Sequence, residues 1–176
     1  MSLTTSLLIA VTMVLTTLLA DRGVRAVGWG RLLRPLLIGT PIALWFASHV
    51  VTHGVGLAVE VAGALAGLVL GLGAVALARV GRDERTGQVV TRAGAGYFTV
   101  WIGACVLRFA FSYGAQHWFG QDLGTWLYRH GVALPDIAAV IGNAIVFSVV
   151  GMLLARSAGI ALKARSARGQ EFALAR

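Results

Sequence analysis

The sequence predicts an all-α integral membrane protein: a bundle of five transmembrane helices with a short cytoplasmic β-hairpin and a helix on the outer surface. Of the 176 residues, 57% are hydrophobic and only 12% are charged, whereas a soluble domain has about 25% charged residues. Apolar runs that approach the length needed to cross a bilayer, about 20 residues, occur five times. Arginines gather in alternate connections between these runs, which is typical of multi-pass proteins.

We expect one polytopic domain over residues 1–176, with spans at about 3–20, 36–52, 55–78, 94–115 and 136–155. The first run should be a permanent helix, because no Lys or Arg precedes it and the cations follow it instead. Pro41 lies inside the second span, where it removes a backbone hydrogen bond and should kink the helix. Residues 156–176 are expected to form a basic cytoplasmic tail.

The polar segment 79–92 between the third and fourth spans predicts a small β-hairpin. Val80, Val89 and Val90 are residues that favour strands, and Thr86-Gly87 supplies a turn position that tolerates a positive φ. A hairpin here requires the third helix to end before Glu84.

The segment 116–135 between the fourth and fifth spans is rich in aromatic residues and predicts an interfacial helix on the outer surface. Its apolar and aromatic side chains share one helical face, which comprises Phe119, Leu123, Trp126, Leu127 and His130. Such a helix either rests at the interface or acts as a lid over polar groups beneath it. Pro135-Asp136 is a helix-start signal for the fifth span.

The distribution of cations predicts the orientation of the chain. Thirteen Arg and Lys residues fall in the first and third connections and the tail, whereas Arg129 alone falls on the opposite side. This asymmetry places the N-terminus outside and the C-terminus in the cytoplasm of a plasma-membrane protein. The net charge of +8 therefore reflects topology, and we expect the lipid bilayer, not nucleic acid, as the partner of these cations.

Several features follow one another in a distinctive order. Arg34-Pro35 precedes a helix that contains Pro41, a polar hairpin ends in residues 91–94, Arg108 lies within a span, and Leu134-Pro135 opens the last helix. Over roughly residues 30–155, this layout resembles the CcdC-like membrane proteins, a family named for its neighbourhood with cytochrome c biogenesis genes. The resemblance implies a small polytopic plasma-membrane protein and, since the family has no established activity, gives no catalytic residues to carry over.

The third span carries a ridge of small residues. Gly63, Gly67 and Gly71 recur at every fourth position, which lines one helix face and allows another backbone to approach closely. Packing within the bundle is one interpretation of this ridge. Formation of a homo-oligomer, or contact with another membrane protein, is the other.

Polar residues inside the spans form a predicted intramembrane cluster of His49, Glu60, Arg108 and Asn143. Counting about 1.5 Å per residue from the helix ends places each of them roughly 9 Å below the outer surface. Ions at such depth usually face a partner or a cavity, so Glu60 and Arg108 are expected to form an ion pair. The cluster is then a structural pair, a polar site facing the outer leaflet, or a coincidence of depth.

No metal or other cofactor is expected. His49 and His53 are four residues apart, but a zinc site needs a third protein ligand, and Arg108 would oppose a cation bound beside Glu60. The single cysteine, Cys105, excludes a disulfide within the chain and a cysteine-pair redox centre.

Two functional hypotheses follow, and the sequence identifies catalytic residues for neither. The first is a non-catalytic accessory or interaction protein, which presents the glycine face or the hairpin to a partner. The alternative is a small membrane enzyme or carrier that acts on a lipid-like or anionic ligand at the polar cluster. A filled bundle interior favours the first hypothesis, and a lipid-sized cavity beside the polar residues favours the second.

The predicted orientation can be tested with topology reporters. Fusions after Arg92 and after Arg176 should both report a cytoplasmic location, whereas a fusion near Gln121 should report the outside, because the cations concentrate on one side. An external signal from the Arg176 fusion would contradict the five-span topology.

Overall fold

A computed structural model describes residues 54–82 and 88–174, together with the strand Val24–Ala26 and isolated positions earlier in the chain. Side chains are described as far as Ser166. The elements are strand β1 (Val24–Ala26), helix α1 (Gly54–Leu77), strands β2 (Arg79–Arg82) and β3 (Val89–Arg92), helices α2 (Ala95–His117) and α3 (Gly120–Arg129), a 3-10 turn (Leu134–Asp136) and helix α4 (Ile137–Leu174).

Within the described residues, three helical stretches are long and apolar enough to cross a membrane: α1, α2 and Leu134–Ser166, which includes most of α4. The structure therefore shows three candidate spans and not the five predicted. The other two predicted spans, 3–20 and 36–52, lie mostly outside the described residues. Pro41 has helical backbone and an exposed side chain, but its predicted kink depends on neighbours that lie outside the described part of the chain.

Helix α4 is the central element. In its most apolar stretch 61% of the residues are buried, against 22% in α1 and 28% in α2. Both outer helices pack on α4 and turn large apolar side chains outward; on α1 these are Leu57, Val61, Leu65, Val69 and Leu72. Outward apolar surface on two helices of membrane-spanning length is what a lipid environment accommodates.

The directions of these helices follow from their contacts. Glu60 near the start of α1 contacts Asn143 near the start of α4, so α1 and α4 run parallel. Arg108 late in α2 contacts Ser148, and residue 97, early in α2, contacts residue 156 much later in α4. Helix α2 is therefore antiparallel to both, as expected of successive spans.

The glycine ridge is where α1 meets α4. A Cβ atom added at Gly63, Gly67 or Gly71 would press against the backbone of α4, and the backbone oxygens it would meet are those of Ala144, Ser148 and Met152, in that order. The two backbones thus pack almost in direct contact, as small residues permit in membrane helices. This face is covered by α4 of the same chain.

The predicted hairpin is present. Strands β2 and β3 pair antiparallel with Arg79 opposite Arg92 and Arg82 opposite Val89, and α1 ends at Leu77, before Glu84. The predicted turn at Thr86-Gly87 lies outside the described residues. Strand β1 pairs with the other edge of β3. Sequence reasoning missed β1, because three residues are too few to show an alternating pattern.

Helix α4 continues to Leu174, although the fifth span was predicted to end near Ala155. The residues beyond Ala155 are mostly good helix formers without proline. Part of the predicted tail is therefore helical and serves the fold, since the Nζ of Lys163 donates to the carbonyl oxygens of Val75 at 2.6 Å and Ala78 at 3.0 Å. A cation at the C-terminal end of α1 satisfies unpaired carbonyls and complements the helix dipole.

At the end of the bundle where α1 and α4 begin, α3 packs against α2 and α4. Leu127 is fully buried and Leu123 is half-buried, whereas Trp126 and His130 remain exposed. The buried face of this helix is thus narrower than the predicted one.

The glycine contact gives a direct test of the packing. Gly67→Ala should destabilise the folded protein by about 2 kcal/mol, because the new methyl group overlaps the Ser148 carbonyl and neither backbone can yield easily. Gly73→Ala on the same helix is the matched control, since nothing lies within 4 Å of its added Cβ, and it should be neutral or slightly stabilising. Thermal unfolding in detergent compares the two, and equal midpoints would refute the close packing of α1 on α4.

Candidate functional site

Glu60 is buried at the interface of α1 and α4. It is 1% exposed, and its Oε1 accepts a hydrogen bond of 2.8 Å from Nδ2 of Asn143. Glu60 lies three residues before Gly63 and so shares the face that α4 covers. Its other oxygen, Oε2, is buried and has no hydrogen-bond partner among the described residues. The backbone of Val51 is a further polar neighbour of this carboxyl group.

Arg108 is also buried, at a level further along α4 than Glu60. It is 7% exposed, and its Nε donates a hydrogen bond of 2.8 Å to Oγ of Ser148. The Ser148 hydroxyl in turn donates to the carbonyl oxygen of Ile145 at 2.7 Å. One terminal nitrogen lies 4.0 Å from the sulfur of Met152, and the other is buried without a partner in the described part of the chain. The guanidinium thus has unused donors in an apolar setting.

The predicted ion pair between Glu60 and Arg108 is not formed. Their partners, Asn143 and Ser148, are five residues apart on α4, which separates them by about 7.5 Å along the helix. Helical side chains tilt toward the N-terminus of their own helix. Because α1 and α2 are antiparallel, the two side chains tilt in opposite directions, even where their backbones lie at similar depth. Asn143 belongs to a helix parallel to α1, so it meets the carboxylate instead.

Of the predicted cluster, the structure brings Glu60 and Asn143 together and places Arg108 at a separate level. His49 lies outside the described residues, as does His53. Sequence reasoning missed Ser148, because a lone serine in a span usually bonds to its own helix, as this one also does. The signal that the sequence offered for Ser148 is its place in the same span as Asn143; that it lies opposite Gly67 is known only from the structure. The described residues contain no group of three side chains that could hold a metal ion.

A groove of about 400 Å³ lies between α1 and α2, beside Arg108. Its floor is α4, and Leu123 and Leu127 of α3 close the end nearest the start of α4. The groove exists because α1 presents the small residues Ala62, Gly63 and Ala66 at this point. Such a volume lies within the usual range for small-molecule sites, about 300–1,000 Å³.

The groove opens sideways toward the surroundings of the bundle. Ala62 and Ala66 on one wall and Leu107 and Phe111 on the other are exposed, so its mouth lies between two candidate spans. Its lining is apolar except for Ser148 and Arg108, and Arg108 is the only charged residue among those that line it. A molecule reaching this site from a bilayer would meet apolar walls first and a cation at the inner end.

Searched against protein-family models, curated proteins and solved structures, the chain matches none of them. Fold and site therefore define its class: a helical protein with three candidate membrane spans in its described part and a laterally open apolar groove lined at one end by a buried arginine.

The pairing of Glu60 with Asn143 can be measured in a double-mutant cycle. Glu60→Leu and Asn143→Leu should each lower the free energy of unfolding. The loss in the double variant should be about 1 kcal/mol smaller than the sum of the two single losses, which is the size seen for hydrogen bonds between membrane helices. Glu60→Leu combined with Thr99→Ala, which changes an exposed residue near the opposite end of α2, is the control and should be additive within about 0.5 kcal/mol. Additivity in the Asn143 cycle as well would show that the two side chains do not interact.

Proposed function

We propose that this protein is a small multi-pass plasma-membrane protein that binds an anionic, lipid-like ligand in the groove, with Arg108 holding the anionic group. The observation that carries this proposal is that Arg108, one of whose guanidinium nitrogens is buried without a partner among the described residues, lines a groove that is open to the side. Among the lining residues, Ser148 is the only hydroxyl beside Arg108; it donates to the carbonyl oxygen of Ile145 and no base among these residues could activate it. Binding or carrying therefore suits the site better than bond chemistry.

Energetics support an anion as the natural partner. A charged side chain near the centre of a bilayer costs about 2.5–3.5 kcal/mol on insertion scales, and a single serine compensates little of that cost. A carboxylate, phosphate or sulfonate group accepts two parallel hydrogen bonds from a guanidinium. The apolar walls of the groove suit a hydrocarbon chain attached to that group.

The competing hypothesis, an accessory protein without a ligand, relied partly on the glycine face as a contact surface. That face is occupied by α4 of the same chain. The cavity beside Arg108 is the feature that favours a carrier or binding protein over a filled interaction module.

The wider setting of the proposal includes five spans, an external N-terminus and a cytoplasmic C-terminus. It is supported by the thirteen-to-one distribution of cations and by the alternating directions of α1, α2 and α4, which suit successive crossings. A relationship to the CcdC-like proteins is part of the same proposal and depends on the order of motifs between residues 30 and 155.

The proposed site is tested with amphiphiles that have one hydrocarbon chain, and the protein is held in nanodiscs of phosphatidylcholine. The protein should bind hexadecyl sulfonate more tightly than hexadecanol. Arg108→Gln should weaken sulfonate binding at least tenfold, because a hydrogen bond to a charged group contributes about 1.5–3 kcal/mol, and should leave alcohol binding unchanged. Arg129→Gln, which removes an exposed arginine of α3, is the matched control and should bind like the wild type.

Substitutions that fill the groove provide a second test of the site. Ala66→Phe should block both probes, whereas Ala58→Phe, which changes an exposed position of α1 outside the groove, should block neither. Equal affinity of the wild type for the sulfonate and the alcohol, or unchanged sulfonate binding by Arg108→Gln, would refute the proposal.

A further inference from the structure

Glu60 and Arg108 are the only Asp, Glu, Lys or Arg residues within the five predicted spans, apart from Asp136 at the outer end of the last. Both are more than nine-tenths buried, yet they do not contact each other. Building on the proposed function, we infer that Glu60 is a proton-binding site coupled to the groove, so that the anionic ligand binds together with one proton.

The geometry places the carboxyl group beside the groove and not in a separate compartment. Val59 and Gly63, the residues one before and three after Glu60, both line the groove. The partners of the two ions, Asn143 and Ser148, are on the same helix about 7.5 Å apart. A charge that enters the groove at Arg108 is about 7.5 Å along α4 from the level of Glu60, in an environment that screens charges poorly.

The charges explain why a proton should accompany the anion. In the proposed scheme, Glu60 is ionised while the groove is empty, so that one negative and one positive charge lie within the bundle. A bound anion neutralises Arg108 and leaves the Glu60 carboxylate as an uncompensated buried charge beside another negative group, which is unfavourable. Uptake of one proton from solvent by the carboxylate restores the balance.

The structure provides the atom that accepts the proton. Oε1 of Glu60 already accepts the hydrogen bond from Asn143, whereas Oε2 is buried without a partner among the described residues. A new O–H bond at Oε2 leaves the contact with Asn143 intact. No bond breaks in the protein, and no oxidant or other reactant is needed.

The other groups around Glu60 that carry or can take a charge are few. Helix α2 contributes Arg108 and, three residues before it, Cys105; the interface with α4 contributes the neutral Asn143. At the outer end, the backbone of His130 lies beside Gly54, the first residue of α1. Asp122 and Asp136 are exposed on that side. His49, in the second predicted span, lies outside the described residues.

The expected pH dependence follows from proton linkage. If one proton is taken up with each anion, affinity increases as pH falls, by up to about tenfold per pH unit where Glu60 titrates. Hexadecyl sulfonate is a suitable probe because its own charge is constant over that range. Glu60→Gln resembles the protonated carboxyl group, so it should bind the sulfonate at least as tightly as the wild type at high pH, and with no pH dependence.

The experiment measures sulfonate affinity against pH in the same nanodiscs for the wild type, Glu60→Gln, His49→Gln and Cys105→Ser. We expect a slope in the wild type that only Glu60→Gln abolishes. Calorimetry in buffers of different ionisation enthalpy counts protons taken up by the wild type directly, which keeps the test decisive if Glu60→Gln folds poorly. A flat wild-type profile, no proton uptake, a slope retained in Glu60→Gln, or a slope lost in His49→Gln would overturn the inference. If the wild type binds no sulfonate at any pH, the proposed function itself fails, which is a distinguishable result.

Discussion

The close packing of α1 on α4 is the contact on which the rest of the structure depends. Gly63, Gly67 and Gly71 bring the two backbones together, and no larger residue could occupy those positions without separating the helices. Because the helices are parallel at this short distance, Glu60 reaches Asn143 directly. The same contact fixes the level of Ser148, and therefore the level at which Arg108 can find a partner.

The groove also results from the small side chains of α1. Small residues on α1 permit the contact with α4, and small residues next to them leave unfilled volume on the side that faces α2. Lateral openings of this kind are tolerated in a bilayer, because lipid can cover apolar surface that water could not. The lining of the groove is apolar apart from a serine and one arginine. In the proposed function, the apolar walls contact the hydrocarbon chain of an amphiphile and the arginine contacts its anionic group.

The inner side of the bundle is held by polar contacts that leave the groove free. Lys163 caps the end of α1, and Arg156 donates a hydrogen bond of 2.9 Å to the hydroxyl of Tyr97 on α2. Through the continuous helix α4, these two cations connect the ends of all three candidate spans, and the small sheet packs beside them. The polar contacts of Glu60 and Arg108 lie toward the other end of the bundle.

The sequence by itself determined the class of protein, the hairpin and the face on which α1 packs, because composition, strand propensity and the four-residue glycine spacing are local properties. It also identified Glu60, Arg108 and Asn143, since polar residues stand out in apolar spans. The tertiary structure alone decided which of them meet. Helix direction sets the tilt of each side chain, so equal depth in the sequence did not bring Glu60 to Arg108. The groove, the third strand and the contacts of Lys163 likewise depend on how distant segments approach one another, which no local pattern encodes.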